Sequence, residues 1–123
     1  MRELETIQTQ QKLNKIYAVD SIGPGGANHF YHIFQQDMST NQSYKSWGIN
    51  FQYGPRKEHS SVAGVIDSDL LEIVRDRLKG FQSGEFACEY NEQALYHVEE
   101  ALKCLNKRVE DRIVRNTLGT YNK

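Results

Sequence analysis

The sequence predicts an α+β fold, in which an N-terminal antiparallel β-sheet is followed by a helical hairpin with a long C-terminal helix. Two observations support this prediction. Residues 12–66 contain short runs of β-branched and aromatic residues separated by Gly, Pro and polar segments. Residues 87–117 contain neither Gly nor Pro and repeat apolar residues at steps of three and four, which is the spacing of one α-helical face.

The length of 123 residues predicts a single domain, 1–123, because a chain of this size builds one sizeable hydrophobic core and not two. Residues 1–11 are polar and lack a period, which predicts a flexible tail or, at most, a short helix. A β-sheet region is expected over 12–66 and a helical region over 67–117. Only 38% of the residues are hydrophobic, so part of the apolar surface is expected to be covered by a second copy of the chain.

Three strands are expected in the sheet region, joined as an antiparallel meander. Each is a run of β-branched and aromatic residues that ends at a turn-forming segment. The strands are expected at 12–19, 29–36 and 44–53, with the Gly-rich segment 23–26 and the polar segment 37–43 as turns and a further short strand at 62–66. In the third strand, Trp47, Ile49, Phe51 and Tyr53 alternate and are expected to share one face.

The helical hairpin is expected to begin at Asp67, a residue type that caps helix N-termini well. Gly80 is expected to end the first helix. A turn over 81–86 follows, and the second helix is expected to begin at Glu89 or Asn91. With about 26 residues this helix spans about 39 Å, which is longer than a chain of this size needs. It is therefore expected to project and to pack against a partner.

The long helix carries two features side by side. The apolar stripe, which is expected to be buried, consists of Leu95, Val98, Leu102, Leu105, Val109 and Ile113. Arg108, Arg112 and Arg115 lie three to four residues apart and so share a neighbouring face. Cations near a helix C-terminus also complement the helix dipole, so this cluster alone does not separate ligand binding from helix stabilisation.

Composition excludes several classes of function. A net charge of −1 argues against a protein that binds nucleic-acid polymers non-specifically. No run of about 18 apolar residues is present, and the N-terminus lacks an apolar signal-peptide centre, so a soluble cytoplasmic protein is expected. Cys88 and Cys104 lie sixteen positions apart, about 24 Å along a helix, and are not expected to bridge.

No catalytic residue, metal site or cofactor is predicted. His29 and His32 lie three apart in a predicted strand and point to opposite faces, which is unsuitable for a metal pair. His97 and Glu100 form half of a carboxylate–imidazole site, but a di-iron centre needs further carboxylates on matching helices. No Ser or Cys is expected in an elbow or capping position that would activate it as a nucleophile.

The remaining polar and aromatic residues have the chemistry of nucleotide capture. Guanidinium groups bind phosphate oxygens, a Phe ring offers a face to adenine, and an Asn bonds the edge of a base or ribose. The candidate binding residues are Arg56, Phe81, Asn91, Arg108 and Arg112.

A series of residues in the second half of the chain carries a family resemblance. The series is Gly54-Pro55-Arg56, then 76–88 as DRLKGFQSGEFAC, then Asn91, Ala94, Leu95, Ala101, Leu102, Leu105, Arg108, Asp111, Arg112, Gly119 and Thr120. In this order it resembles the phage-encoded Thoeris anti-defence proteins of the first family, which act as signal sponges. The likeness covers the chain from about residue 17 onward.

The resemblance implies a protein that sequesters glycocyclic ADP-ribose, the signal made by bacterial TIR-domain proteins in Thoeris defence, without degrading it. Carried over by position, Phe81 would stack on the adenine and Asn91 would meet polar groups of the ligand. Arg56, Arg108 and Arg112 would hold the pyrophosphate and riboses. Some members of the family form hexamers, as trimers of dimers, and take up cyclic trinucleotides at separate sites.

The spacing of these residues predicts a homodimer. Asn91 and Arg108 are seventeen positions apart, about 25 Å on one helix, whereas a cyclic ADP-ribose is only about 10 Å across. If both residues touch one ligand, they belong to different chains. Two long helices running antiparallel across a two-fold axis would give two equal pockets.

Three other functions stay open at this point. The chain could be a sponge for the cyclic oligonucleotide signals of CBASS-type defence, which differs from the first reading only in its ligand. It could be a dimeric interaction protein that binds no small molecule. An enzyme that degrades the signal would need an activated water or nucleophile, and none is found in the sequence.

Overall fold

The computed structural model describes residues 1–36 and 43–122 and confirms the α+β fold, because an antiparallel sheet precedes two α-helices. The chain divides into two compact units, Met1–Gly64 and Val65–Lys123. This division lies two residues from the predicted change from sheet to helices at 66–67. That the chain is one domain stays a prediction.

The sheet unit contains four strands in the order β1-β2-β3-β4, each antiparallel to its neighbour. They are β1 (Arg2–Glu3), β2 (Asn14–Ala18), β3 (Phe30–Gln36) and β4 (Ser43–Asn50). The three predicted strands are thus confirmed as β2, β3 and β4. The predicted turn over 37–43 falls outside the described residues except for Ser43, which begins β4.

The prediction of a tail over 1–11 is wrong at Arg2–Glu3, which forms β1. Arg2 pairs with Ala18 and Glu3 with Tyr17, and the N–H of Leu4 donates to the carbonyl of Ile16 at 2.9 Å. These contacts are made by backbone groups, so a short polar strand leaves no pattern in its side chains.

The third strand is shorter than predicted. β4 ends at Asn50, and Tyr53 pairs only with Val62, through backbone bonds of 2.8 and 2.9 Å. The strand expected at 62–66 is reduced to this one bridge. The Gly-rich turn contains a single 3₁₀ turn at Pro24–Gly26, and Gly25 has a φ of 74°, a conformation that glycine adopts without strain.

Asp20 closes the connection between β2 and β3. Its Oδ1 accepts the backbone N–H of His29 and of Phe30, both at 3.1 Å, and the N–H of His29 also lies 3.1 Å from Oδ2. Partial burial raises the pKa of the Asp20 carboxyl, but these backbone hydrogen bonds, helped by Asn28, outweigh it and leave the pKa below its ordinary value.

We expect Asp20 to make the sheet unit sensitive to acid. A carboxyl whose folded pKa is depressed contributes stability above its unfolded pKa of about 3.9, and that stability is lost as the pH falls through the folded value. Asp20→Asn should therefore lower the urea midpoint at pH 7, and its difference from wild type should shrink below about pH 4. Asp76→Asn, on the surface of the helical unit, is the control. An equal difference at pH 7 and pH 3 would contradict the assignment.

The helical unit contains α1 (Asp67–Gln82) and α2 (Glu89–Val114), which pack against each other. The predicted cap of α1 is wrong by one residue: Ile66 is the N-cap, and its N–H donates to Asp69 Oδ2 at 3.0 Å. Gly80 does not end α1, because a glycine in the last turn costs only about 1 kcal/mol and the helix continues to Gln82.

The long helix α2 has the predicted 26 residues, about 39 Å, and begins at Glu89, one of the two expected positions. Arg75 Nε of α1 donates to Glu99 Oε2 of α2 at 2.8 Å, which fixes the register of the antiparallel pair. In this register the start of α1 is level with about residue 107, so the last seven or so residues of α2 extend past α1 by about 10 Å. We call residues 108–114 the overhang.

The apolar stripe is only partly covered. Leu95, Val98, Leu102 and Leu105 are half-buried, but Val109 is 38% and Ile113 58% exposed. Across residues 67–114, all of which the structure describes, neither helix contains a fully buried side chain. The prediction of one continuous buried stripe is therefore wrong for the single chain, because α1 begins level with about residue 107 and does not cover the overhang.

Candidate functional site

Two of the candidate binding residues, Phe81 and Asn91, lie at the turn end of the hairpin. Phe81 is in the last turn of α1, its side chain is 40% exposed, and the Arg77 guanidinium carbon lies 5.4 Å from its ring centroid. Asn91 is in the first turn of α2. An aromatic face and an amide are thus presented by the same end of the hairpin.

A chain of hydrogen bonds across the turn orients Asn91. Gln82 Oε1 accepts the N–H of Cys88 at 3.0 Å, Cys88 Sγ accepts the N–H of Asn91 at 3.4 Å, and Asn91 Nδ2 donates to the carbonyl of Phe86 at 3.3 Å. No donor among the described residues reaches Asn91 Oδ1, so this oxygen is open to a ligand.

Cys88 corrects one expectation. No Ser or Cys is predicted from the sequence at a capping position that would activate it as a nucleophile, but Cys88 is the N-cap of α2. Thiols are rare at this position compared with Ser, Thr, Asp and Asn, so residue type gave no signal for it. Cys88 and Cys104 are free, as the spacing predicted.

Two candidate arginines lie at the other end of α2, in the overhang. Arg108 is exposed, and within residues 1–36 and 43–122 it makes no hydrogen bond or ion pair. Arg112 is half-buried, and its Nη2 lies 2.8, 3.0 and 2.7 Å from the carbonyl oxygens of Thr117, Thr120 and Asn122. These contacts of Arg112 could not be predicted from the sequence, because the acceptors are backbone groups.

The structure does not bring these two pairs together within one chain. Asn91 and Arg108 lie on one uninterrupted helix and are seventeen residues apart, so about 25 Å of helix separates them. Phe81 is at the same end as Asn91, and Arg112 is one turn beyond Arg108. The single hairpin therefore carries these two pairs of candidate residues at its opposite ends, and we call the two pairs the candidate half-sites.

The fifth candidate, Arg56, lies in the sheet unit. Its Nε and Nη2 donate to Gln52 Oε1 at 3.1 and 2.8 Å, and Nη2 also donates to the carbonyl of Gly64 at 3.0 Å. Gln52 Oε1 in turn accepts the N–H of Gly64 at 3.2 Å. The guanidinium is held in place, and its Nη1 has no partner among the described residues.

Two cavities of the described chain contain none of the five candidate residues. One, of about 340 Å³, is a groove along the hairpin that includes the Arg75–Glu99 ion pair. The other, of about 500 Å³, is in the sheet unit and includes Asp20 and Tyr53.

Across residues 1–36 and 43–122, no group of three or more His, Cys, Asp or Glu side chains is placed to hold a metal ion. In the same residues, no helix has the length and apolar character that crossing a membrane requires.

Comparison with known proteins identifies a family. The family described as "Acb2/Tad1, hairpin domain" matches residues 48–110, just over half of the chain. The matched range contains Arg56, Phe81, Asn91 and Arg108 and ends two residues before Arg112. A protein of Bacillus phage SBSphiJ7 named "Thoeris anti-defense 1" is 45% identical over 75 residues, which cover 61% of this chain. The match spans 52%, about half, of that relative's length.

Proposed function

The chain belongs to the Acb2/Tad1 hairpin-domain family, and from this premise we propose that it counters Thoeris defence by sequestering glycocyclic ADP-ribose. The name of the phage relative supports the biological role. In this proposal the protein binds the signal in the cytoplasm of the infected bacterium and releases it unchanged on denaturation. The TIR-activated effector then receives no signal.

The separation of the two half-sites along α2 is the observation that carries this proposal. A ligand about 10 Å across cannot touch Asn91 and Arg108 of one chain, which are about 25 Å apart. Two chains with antiparallel α2 helices would place the overhang of one beside the turn end of the other. The resulting homodimer has two identical pockets related by its two-fold axis.

The overhang is suited to this arrangement in a second way. Its Val109 and Ile113 side chains are 38% and 58% exposed in the single chain, and an antiparallel partner would cover them. Burial of exposed apolar area contributes about 25 cal/mol per Å² to association. The same contact that assembles the pocket would therefore also stabilise it.

Each residue of the two candidate half-sites has a chemical task in this pocket. Phe81 offers its exposed ring to the adenine, and Asn91 Oδ1 can accept a hydrogen bond from a ribose or base. Arg108 and Arg112 of the partner chain supply positive charge to the pyrophosphate. The binding role of Arg56 stays a prediction from the family resemblance. Holding the ligand without cleaving it is part of the proposal.

The function is tested by calorimetric titration of the purified protein with glycocyclic ADP-ribose. We expect one ligand per chain and a nanomolar Kd, which corresponds to about −12 kcal/mol. Ligand recovered after heat denaturation should be chemically intact. Protein exposed to a lysate of TIR-activated cells should release the same molecule. Release of a cyclic oligonucleotide would favour a CBASS-type sponge, and absence of any bound nucleotide would favour an interaction protein.

Phe81→Ala should weaken the binding of glycocyclic ADP-ribose by about 10- to 100-fold, because stacking of a base on an aromatic ring is worth about 1–3 kcal/mol. Phe81→Trp should bind within a few-fold of wild type, since it keeps an aromatic face. The matched control is Phe86→Ala, which removes a 70% exposed ring from the same turn. Equal losses of affinity for Phe81→Ala and Phe86→Ala would show that Phe81 does not line the pocket.

A further inference from the structure

The chain after α2 folds back into a compact turn of residues 117–122, which we call the C-terminal turn. Asn116 and Gly119 have φ values of 56° and 79°, and these left-handed residues reverse the chain direction. The Thr120 hydroxyl donates to the carbonyl of Thr117 at 2.6 Å and accepts the N–H of Asn122 at 3.2 Å. One threonine side chain thus holds both ends of the turn.

The C-terminal turn is built around the Arg112 guanidinium. The carbonyls of Thr117, Thr120 and Asn122 surround one nitrogen, Nη2, at 2.7–3.0 Å. The N–H of Thr117 also donates to the Arg112 carbonyl at 2.8 Å, which ties the turn to the last helical residues. Three acceptors share two hydrogens, so the side chain is held by more partners than it can satisfy at once.

Only one of the three nitrogens of this guanidinium, Nη2, has hydrogen-bond partners among the described residues. Among the described residues, neither Nε nor Nη1 of Arg112 has a hydrogen-bond partner, which leaves three of its five N–H groups available. Arg108, one turn earlier, is exposed and unpaired in the same residues. The two arginines of the overhang therefore differ: one is fixed in position and the other is free to move.

We propose that the C-terminal turn is a positioning element of the anion site, which fixes Arg112 so that its Nη1 faces a phosphate of the ligand. This inference rests on the proposed function. An unrestrained arginine loses rotamer freedom when it binds an anion, and a side chain that is already ordered loses less. Since Nη2 is occupied and the Nε–H lies on the same side of the guanidinium as Nη2, the phosphate contact is expected through the two N–H groups of Nη1. The turn lies outside the residues that match the family.

Thr120→Val tests the inference, because it keeps the shape of the side chain and removes the two hydrogen bonds of its hydroxyl. We expect glycocyclic ADP-ribose to bind about 3- to 10-fold more weakly, with unchanged stoichiometry and an unchanged dimer. Inorganic pyrophosphate should lose affinity by a similar factor, because the defect concerns the phosphate contacts alone. Thr120→Ser should restore both affinities, and Thr9→Val, at an exposed position of the sheet unit, should change neither.

The possible results separate this inference from the proposed function. A turn that only stabilises the fold would lower the melting temperature of Thr120→Val and leave both affinities unchanged, which overturns the inference. Tighter binding by Thr120→Val also overturns it, because the turn would then compete with the ligand for Arg112. If wild type binds pyrophosphate but not glycocyclic ADP-ribose, the proposed ligand fails and the pyrophosphate comparison still decides the role of the turn. If wild type binds neither, both fail.

Discussion

A mixture of the Phe81→Ala protein and the Arg108→Glu protein should bind glycocyclic ADP-ribose although each alone binds it poorly. In the proposed dimer, one pocket uses Phe81 of the first chain and Arg108 of the second, and the other pocket uses the reverse combination. A heterodimer of the two variants contains one pocket with both defects and one with neither. The intact pocket should have the affinity of wild type.

The expected amount of restored binding follows from the symmetry. Random exchange makes about half of the dimers heterodimers, and each has one intact pocket of two, so about a quarter of the wild-type sites should return. Calorimetry would report this as a stoichiometry near 0.25 per chain with the wild-type Kd. Co-expression with two different tags and selection of the heterodimer should raise the value to about half.

The matched control combines two variants of the same half-site. Phe81 and Asn91 lie at the same end of the hairpin, so a heterodimer of Phe81→Ala and Asn91→Ala has one defect in each of its pockets. Neither affinity nor stoichiometry should recover in this mixture. If the first mixture also fails to recover while its heterodimer is shown to form, Phe81 and Arg108 do not meet across two chains.

The elements with a repeating side-chain pattern could be predicted from the sequence. The 26 residues of α2 followed from apolar steps of three and four, and β3 and β4 followed from runs of aromatic and β-branched residues. Strand β1 could not be predicted, because two polar residues pair through their backbones alone. The end of α1 was predicted too early, since the rule that glycine ends helices is a preference and Gly80 adopts helical geometry.

The residue types of the candidate site could be predicted from the sequence, but the hydrogen bonds that hold those side chains in place could not. The charge of Arg112 and its position on the helix indicate a binding role. Its three carbonyl partners could not be predicted, because they depend on a chain reversal at Asn116 and Gly119. The side-chain amide oxygen of Gln82 accepts the backbone N–H of Cys88, six residues later, and this bond closes the turn before Asn91. No known sequence pattern predicts a hydrogen bond between residues at this separation. The distance between the half-sites was predictable, because it needs only the rise of a helix.

Ile113→Asp should dissociate the dimer and abolish ligand binding without unfolding the chain. Ile113 is 58% exposed in the single chain, so a carboxylate there costs the hairpin little. In the dimer it would replace a covered side chain in both copies. Completing the burial of two isoleucines contributes about 2–3 kcal/mol, so the Kd of the proposed dimer should rise by at least about 30- to 150-fold.

Sedimentation equilibrium over a range of protein concentrations measures this change, and circular dichroism at the same concentrations tests the fold. Ile22→Asp makes the same substitution at a 71% exposed site of the sheet unit and should leave both the dimer and the Kd for glycocyclic ADP-ribose unchanged. Ile113 has no assigned contact with the ligand, so its effect on binding should arise only through the loss of the partner chain. A monomeric Ile113→Asp protein that still binds one ligand per chain would show that a single hairpin completes the pocket, and the two-chain site would be wrong.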